Sequence, residues 1–150
     1  MEDLAAGPAA FNLIKSFEGL KLEAYRCPAG VWTIGWGHTA SVQPGDQITE
    51  ERAEALLAED VARVARDLPK VVHVPITQGQ CDALVSLCFN LRGGPQGLPA
   101  IAPRLVAKLN AGDYTGAAGE MLDIDRANGQ VLPGLAHRRE AEQAVFLNRT

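Results

Sequence analysis

The stretch FEGLKLEAYRCPAGVWTIGWGHT, residues 17–39, decides how this chain is interpreted. One acid, Glu18, lies at the junction between an apolar segment and a segment rich in glycine and aromatic residues. Cys27 follows nine residues later, and Thr33 six residues after that. A carboxyl group at such a junction can be partly removed from water, which favours its protonated form and makes the three residues a candidate reactive site. The alternative, which spacing alone favours, is a water-exposed helix end leading into an ordinary hairpin.

The segments on either side of Glu18 carry different patterns. Apolar residues recur at helical spacing up to Gly19, which predicts a short helix over residues 9–18. Residues 20–39 are instead rich in β-branched and aromatic side chains, with a turn at residues 28–30. They predict a hairpin or a three-stranded sheet, which is too small to be stable without helices packed against it.

Helices are predicted for most of the remaining chain. Thr49 is a helix cap, and the apolar periodicity behind it extends to Pro69, so this helix of about 20 residues spans ~30 Å and can link two lobes. Thr77 and Gln80 have the spacing of a capping box at the start of a buried helix that ends at Gly93-Gly94. Beyond it lie a predicted loop or broken helix at 95–103 and helices at 103–111, 115–124 and 134–148. This order of elements is typical of an α+β fold with segregated helices and strands.

Composition and charge exclude several classes of protein. The 150 residues are 47% apolar and 21% charged, which is typical of a globular chain with a real core. The formal net charge of −4 gives no basic domain for nucleic acid. Apolar runs stay short of the ~18 residues of a membrane span, and the start MEDLAAGPAAF lacks the positive charge of a signal peptide. We expect no nucleic-acid partner, no membrane segment and no cleavable signal in this chain.

The three cysteines, Cys27, Cys81 and Cys88, argue against a disulfide framework. Cys81 and Cys88 share a face of a predicted helix but lie ~10 Å apart along its axis, beyond disulfide reach, so both are expected in the core. No Cys/His ligand spacing is present, and we expect no metal ion and no cofactor.

His38, between Gly37 and Thr39, has two interpretations. It can act as a base or ligand, or it can form an ion pair with a carboxylate that fixes the sheet to a helix. We favour the ion pair, with Asp60 on the long helix as the partner.

Five segments, taken in order, resemble one protein family: FEGLKLEAYRCPAGVWTIGWGHT, ITEERAEALLAEDV, DALVSLCFN, KLNAGDYTGAAGEM and VLPGLAHRREAEQAVFL. Together they are similar to the phage-type lysozymes or endolysins, glycoside hydrolase family 24, over residues 11–148. The most specific motif is a glutamate, eight residues, Asp or Cys, five residues and a threonine, followed by Gly-x-Gly-His. A chance match of all five segments in this order is very improbable.

The resemblance implies an α+β, lysozyme-like fold in one catalytic domain, residues 1–150. A sheet lobe at about 19–60 faces a helical lobe of about 61–150 plus the helix at 9–18, the long helix joins them, and the glycan lies in the cleft between. The implied reaction is hydrolysis of the β-1,4 bond between N-acetylmuramic acid and N-acetylglucosamine in bacterial peptidoglycan, which leads to lysis of the host cell. We expect a monomer that is made in the bacterial cytoplasm and acts on the periplasmic wall, by an export route that the sequence leaves open.

Residue roles follow from the same resemblance. Glu18 matches the catalytic acid, and Thr33 matches a threonine that helps to hold the attacking water. Cys27 occupies a position that is Asp in many members and Cys in others. The remaining matches are two cleft-lining residues, Phe89 and Asn90, and a structural ion pair, His38 and Asp60.

Cys27 is the residue whose role stays open. Glycoside cleavage needs a proton donor and stabilisation of an oxocarbenium-like centre, usually by a second carboxylate. A thiol with an ordinary pKa of ~8.5 is little ionised near neutral pH unless it is activated. We expect Cys27 and Thr33 to position a water that attacks with inversion. The alternatives are a covalent nucleophile that gives retention, and a buried thiol without a role.

Arg138 and Arg139 on the last predicted helix also have two interpretations. They belong to a water-exposed face beside Glu140 and Glu142, or one of them anchors Glu18 and favours its charged form. The sequence does not say which arginine this would be.

Two other functions are compatible with these residues. A lytic transglycosylase needs only the acid and gives a 1,6-anhydro product, and a thiol in place of the second carboxylate keeps this function open. A catalytically inactive peptidoglycan-binding module is the other, although Glu18 and Thr33 argue against it. The stretch FNLRGGPQGLPAIAPRLVAKL, residues 89–109, lacks the aromatic residue of the family's Gly-x-Gly-x-Phe pattern and has three prolines, which alters the helical rim of the cleft.

Overall fold

The computed structural model describes residues 4–91, 93–127 and 130–149. In chain order these form α1 (Pro8–Glu18), β1 (Lys21–Arg26), β2 (Trp32–Gly35), α2 (Glu50–Asp67), a 3-10 turn (Leu68–Lys70), α3 (Gln78–Asn90), α4 (Gly94–Ile101), α5 (Pro103–Asn110), α6 (Tyr114–Met121), β3 (Arg126–Ala127), β4 (Gln130–Val131) and α7 (Pro133–Phe146). A small antiparallel sheet thus precedes a larger helical part, and the predicted α+β class is confirmed. No helix among these residues combines the length and the apolar character needed to cross a membrane.

Helix α1 places Glu18 at the edge of the sheet. Pro8 lies in the first turn, where its missing N–H costs no helical hydrogen bond. Gly19 follows Glu18 with a φ of 69°, a left-handed conformation that ends the helix and that glycine adopts without strain. Glu18 is therefore the last residue of α1, and the chain enters β1 two residues after Gly19.

Strands β1 and β2 form the predicted hairpin. Tyr25 pairs with Thr33 and Arg26 with Trp32 in antiparallel register. The segment before α2 runs along the other edge of β1, because the Ile48 amide donates to the Leu22 carbonyl at 2.9 Å. The sheet is a two-stranded ladder extended by this short bridged segment.

Helix α2 connects the sheet to the helical part. The Thr49 hydroxyl accepts a hydrogen bond from the Arg52 amide at 3.1 Å, as the predicted cap requires. Its 18 residues span about 27 Å. Its buried apolar side chains are Ala53, Leu56, Leu57 and Val61.

Helix α3 is the centre of the core. The predicted capping box is present, since the Thr77 hydroxyl accepts from the Gln80 amide and the Gln80 side chain accepts from the Thr77 amide. Residues 81–88 are all buried, and α3 packs against α1, α2, α4 and α7. Cys81 and Cys88 are free thiols in this core, as predicted.

The proline-rich segment after α3 is a broken helix. Pro95 lies in the first turn of α4, where proline is tolerated, and Pro99 lies inside the helix. At Ala102 the backbone leaves helical geometry (φ −136°, ψ 65°), and α5 begins at Pro103. Of the two expectations for residues 95–103, the loop is wrong and the broken helix is right.

The short hairpin of β3 and β4 was not predicted. Arg126 pairs with Val131 and Ala127 with Gln130, directly before α7. Two-residue strands are too short to show an alternating pattern, so sequence periodicity cannot detect them.

Candidate active site

Glu18 lies where α1, the segment after β2 and α7 meet. Its side chain is 22% exposed, and Oε2 lies 3.3 Å from Nη1 of Arg138 on α7. A Cβ atom at Gly37 would lie only 2.8 Å from Glu18 Oε1, so the absence of a side chain at Gly37 makes room for this carboxylate. The structure thus selects Arg138, rather than Arg139, as the arginine against Glu18.

Cys27 and Thr33 lie at the turn end of the β1–β2 hairpin. The Cys27 amide donates to the Val31 carbonyl at 2.9 Å, and the Thr33 hydroxyl donates to the same carbonyl at 3.0 Å. Thr33 is buried, whereas Cys27 is half-buried. Hydrogen bonding from the Val31 backbone, with smaller contributions from Ala29 and the Thr33 hydroxyl, lowers the pKa of the Cys27 thiol and outweighs its partial burial. The thiol is therefore more readily ionised than an ordinary cysteine.

Tyr25 is a residue of the site that sequence reasoning missed. Burial raises the pKa of its phenol, and the negative charges of Glu18 and Cys27 raise it further. The ring therefore lies close enough to both residues to feel their charges. A signal was present, since Tyr25 lies two residues before Cys27 and opposite Thr33 in a hairpin.

His38 connects the sheet to α2. Its Nδ1 lies 2.7 Å from Oδ2 of Asp60, and its Nε2 lies 3.0 Å from the Ala40 carbonyl. Asp60 is buried and also contacts the Arg63 guanidinium. These contacts have the geometry of a structural ion pair, and both ring nitrogens have an acceptor.

Arg138 and Arg139 are not on a water-exposed face. Arg138 is 3% exposed, and both Arg139 and Glu142 are fully buried. The expectation of a water-exposed face is wrong for these three residues because α7 packs this side against α3. Arg138 also donates to the Ser86 carbonyl at 3.0 Å. Burial raises the pKa of Glu142, and the two arginines counter this shift.

Phe89 and Asn90 end α3 beside the same region. Nη2 of Arg139 donates to Oδ1 of Asn90 at 2.6 Å. Phe89 lies close to Gly37, because a Cβ atom built on Gly37 would be 3.5 Å from the Phe89 ring. Phe89 and Gly37 also line a cavity of about 280 Å³ that continues to Thr39, Asp60 and Arg63. The structure thus brings Glu18 together with Gly37 and Arg138, and Phe89 lies beside the same glycine.

Among residues 4–91, 93–127 and 130–149, no three His, Cys, Asp or Glu side chains are grouped so that they could hold a metal ion. The site offers a carboxyl group, a thiol with a lowered pKa, a hydroxyl and a phenol. A partly exposed acid between a small sheet and a helical part is the arrangement of a lysozyme-like glycosidase, in which the acid protonates the leaving sugar oxygen.

Comparisons with known proteins define the family. Residues 15–142 match the family model described as phage lysozyme. The endolysin of Acyrthosiphon pisum secondary endosymbiont phage 1 is 49% identical over 139 residues, 89% of this chain and 92% of that protein. The endolysin of Bacillus phage B103 is 43% identical over 93% of this chain, which spans about half, 52%, of that longer protein. The chain belongs to the phage lysozyme family.

Solved structures agree with this assignment. The muramidase domain of SpmX from Asticaccaulis excentricus is 40% identical, with a TM-score of 0.84 over 95% of this chain and 97% of that one. The endolysin from Escherichia coli O157:H7 phage FAHEc1 is 32% identical, with a TM-score of 0.86 over 99% of this chain and 97% of that one. The predicted lysozyme-like fold, family and glycoside hydrolase class are confirmed.

Proposed function

We propose that this chain hydrolyses the β-1,4 bond between N-acetylmuramic acid and N-acetylglucosamine in bacterial peptidoglycan, with Glu18 as the proton donor. The observation that supports this most is the setting of Glu18, a partly exposed carboxyl group at the seam of α1 and the sheet with one oxygen beside Arg138. Its proton passes to the glycosidic oxygen as the bond to the sugar breaks. Arg138 then stabilises the carboxylate that is left behind.

Thr33 and Cys27 are proposed to hold the attacking water. The Thr33 hydroxyl has two acceptors within reach, the Val31 carbonyl at 3.0 Å and the Cys27 sulfur, whose pKa it helps to lower. Whether the Thr33 hydroxyl donates its hydrogen to the Val31 carbonyl or to the Cys27 sulfur, its oxygen keeps lone pairs that can accept a hydrogen bond from a water. An ionised Cys27 can accept the water's other hydrogen, so the pair orients the water as a second carboxylate would.

Asn90 is proposed to bind the glycan. Its Oδ1 accepts a hydrogen bond from Arg139 at 2.6 Å, which fixes the orientation of the amide. The NH2 group of Asn90 is then the part of the amide that would donate a hydrogen bond to the glycan. Phe89, the residue before it, supplies a partly buried ring at the wall of the cavity of about 280 Å³. A sugar hydroxyl or acetamido oxygen is the acceptor that this pair would recognise.

Direct attack by water predicts inversion at the anomeric carbon. The anomer released first from a soluble glycan fragment, followed by NMR, tests this step. The inverted anomer supports a water held by Thr33 and Cys27. The retained anomer would instead require a covalent intermediate on Cys27 and would contradict water positioning.

The function itself is tested by digesting purified peptidoglycan and measuring the masses of the products by mass spectrometry. Hydrolysis gives muramic acid reducing ends that carry one added water. A 1,6-anhydro product without that water would replace the proposal by lytic transglycosylation. If folded protein binds the wall but releases nothing, the chain is a binding module.

The cellular setting belongs to the same proposal. The protein is proposed to be made in the cytoplasm of a bacterial host and to act as a monomer on the periplasmic wall. Clearing of outer-membrane-permeabilised Gram-negative cells by the purified chain, with a monomer mass in solution, is the expected result. Failure of a folded sample to clear such cells would contradict it.

A further inference from the structure

Glu142 is a buried acid that contacts both Arg138 and Arg139. It lies on α7, and its side chain is 0% exposed. Oε2 accepts hydrogen bonds from the Ser86 hydroxyl at 2.5 Å and from Nε of Arg138 at 3.1 Å. Oε1 lies 3.1 Å from Nε of Arg139. Each carboxylate oxygen therefore faces a different arginine.

Each of these arginines also contacts a different residue of the candidate site. Nη1 of Arg138 lies 3.3 Å from Oε2 of Glu18, the proposed proton donor. Nη2 of Arg139 donates to Oδ1 of Asn90, the proposed glycan-binding amide, at 2.6 Å. Glu142 thus contacts two arginines, of which Arg138 contacts Glu18 and Arg139 contacts Asn90.

Arg139 faces Glu142 through an ionic contact. Its Nε and Nη1 atoms have no hydrogen-bond partner, and neither has Oε1 of Glu142, although Nε and Oε1 are 3.1 Å apart. The attraction between these two groups is therefore ionic, with poor hydrogen-bond alignment. A buried guanidinium without a counter-charge is strongly unfavourable, so Arg139 depends on the charge of Glu142.

The other groups around the cluster do not replace that charge. Ser86 contributes a neutral hydroxyl from α3. Cys88, also on α3, interacts electrostatically with Glu142 and Arg139, but burial raises the pKa of its thiol to about 12, so it is neutral. On the Glu18 side the neighbours are Arg138 and the Tyr25 phenol, which is neutral at working pH.

We propose that Glu142 is a positioning residue that holds Arg138 against Glu18 and Arg139 against Asn90 through its negative charge. The proposal rests on the proposed roles of Glu18 and Asn90, and it extends the site to a residue that touches no substrate. Without the charge of Glu142, the two arginines repel each other, so Arg138 is no longer held against Glu18 and Asn90 loses its fixed orientation.

The variant Glu142→Gln tests this, because it keeps the shape of the side chain and removes its charge. We expect kcat on a soluble glycan to fall by about 10- to 100-fold, KM to rise, and the high-pH limb of the activity profile to move to higher pH, because Glu18 loses its nearby cation. Glu120→Gln is the matched control: Glu120 is another buried acid with two cationic partners, Lys108 and Arg104, on a different helix pair. It should leave the KM and the pH profile unchanged.

A milder variant keeps the test decisive if Glu142→Gln does not fold. Ser86→Ala removes one neutral donor to Oε2 and leaves all charges in place, so we expect a several-fold loss of kcat with an unshifted pH profile. Where Glu142→Gln does fold, glycan binding by Glu18→Gln with and without Glu142→Gln tests the contact of Arg139 with Asn90 in the absence of catalysis. We expect weaker binding in the double variant.

The outcomes separate this inference from the proposed function. Folded Glu142→Gln with wild-type kcat, KM and pH profile would overturn the role of Glu142, and so would unchanged kinetics of Ser86→Ala if only that variant folds. Neither result affects Glu18. An active Glu18→Gln would instead overturn the proposed function.

Discussion

Glu18 owes its surroundings to two residues that are far from it in the sequence. Arg138 lies 3.3 Å from one carboxylate oxygen, and Gly37 makes room for the other. Helical spacing locates Glu18 at the end of α1, but both contacts depend on how distant segments pack. The position of Glu18 at the end of α1 was therefore predictable from the sequence. Which of Arg138 and Arg139 contacts it was not.

The space at Gly37 gives a first prediction. Alanine at Gly37 must adopt a φ of 75°, and its Cβ must displace the Glu18 carboxylate from 2.8 Å. We expect Gly37→Ala to lower the free energy of unfolding by about 1–2 kcal/mol, and to lower turnover by about tenfold or more because Glu18 moves.

Gly112→Ala is the control for backbone strain. Its φ is 82°, but a Cβ there meets no atom within 4 Å. Thermal unfolding should show a similar loss of stability with normal turnover on peptidoglycan. Equal turnover in the two variants would mean that Gly37 does not shape the position of Glu18.

The lowered pKa of Cys27 gives a second prediction. Alkylation by iodoacetamide follows the thiolate, so its rate should rise with pH at a midpoint below that of an ordinary cysteine. Cys81 and Cys88 should not contribute, because burial raises their pKa values to about 11 and about 12. Thr33→Val removes one group that lowers the pKa and should move the midpoint upward.

Thr115→Val, at an exposed position of α6, is the matched control and should leave the midpoint unchanged. Labelled sites are identified by mass spectrometry of peptides. An ordinary midpoint for Cys27, or one that does not respond to Thr33→Val, would contradict a lowered pKa of this thiol.

At the scale of elements, the sequence predicts helix starts well where a capping residue is present. Thr49 and Thr77 begin α2 and α3 as predicted, because capping depends on residues three or four positions away. Which side of α7 is buried depends instead on α3, so the sequence left open whether Arg138 and Arg139 face water or whether one of them anchors Glu18. The prolines of α4 were harder still, since each is compatible with either a loop or a helix start.

The pairing of α5 with α6 gives a pH-dependent prediction. Glu120 on α6 lies 2.9 Å from Nζ of Lys108 and 2.9 Å from Nη2 of Arg104. The hydrogen bond from Lys108 is the main reason that the pKa of Glu120 lies below its ordinary 4.5, and Arg104 adds to it. This stabilisation is present above pH 4.5 and is lost as the pH falls through the lowered pKa of the folded state.

Melting temperatures of the wild type and Glu120→Gln at several pH values test this. The wild type should be more stable at pH 6, and the difference should shrink as the pH falls below 4.5. A difference that stays constant, or grows as the pH falls, would show that the charge of Glu120 does not link the two helices.

At the scale of the whole molecule, the order of motifs carried more information than any one of them. Glu18, Cys27 and Thr33 alone were compatible with an exposed helix end and a hairpin. The same residues within five ordered segments identified the phage lysozyme family, to which residues 15–142 belong. The charge cluster around Glu142 escaped prediction because its members come from α1, α3 and α7 and are brought together only by folding.

The most direct measurement is the turnover of Glu18→Gln on purified peptidoglycan, counted as new reducing ends per folded enzyme. Glutamine keeps the shape of the side chain but has no carboxyl proton to donate, so we expect turnover to fall by about 10³-fold while the variant still binds the glycan. Glu23→Gln, an exposed acid on β1, should behave as the wild type. Turnover of Glu18→Gln within a few fold of the wild type would contradict the assignment of Glu18 as the proton donor.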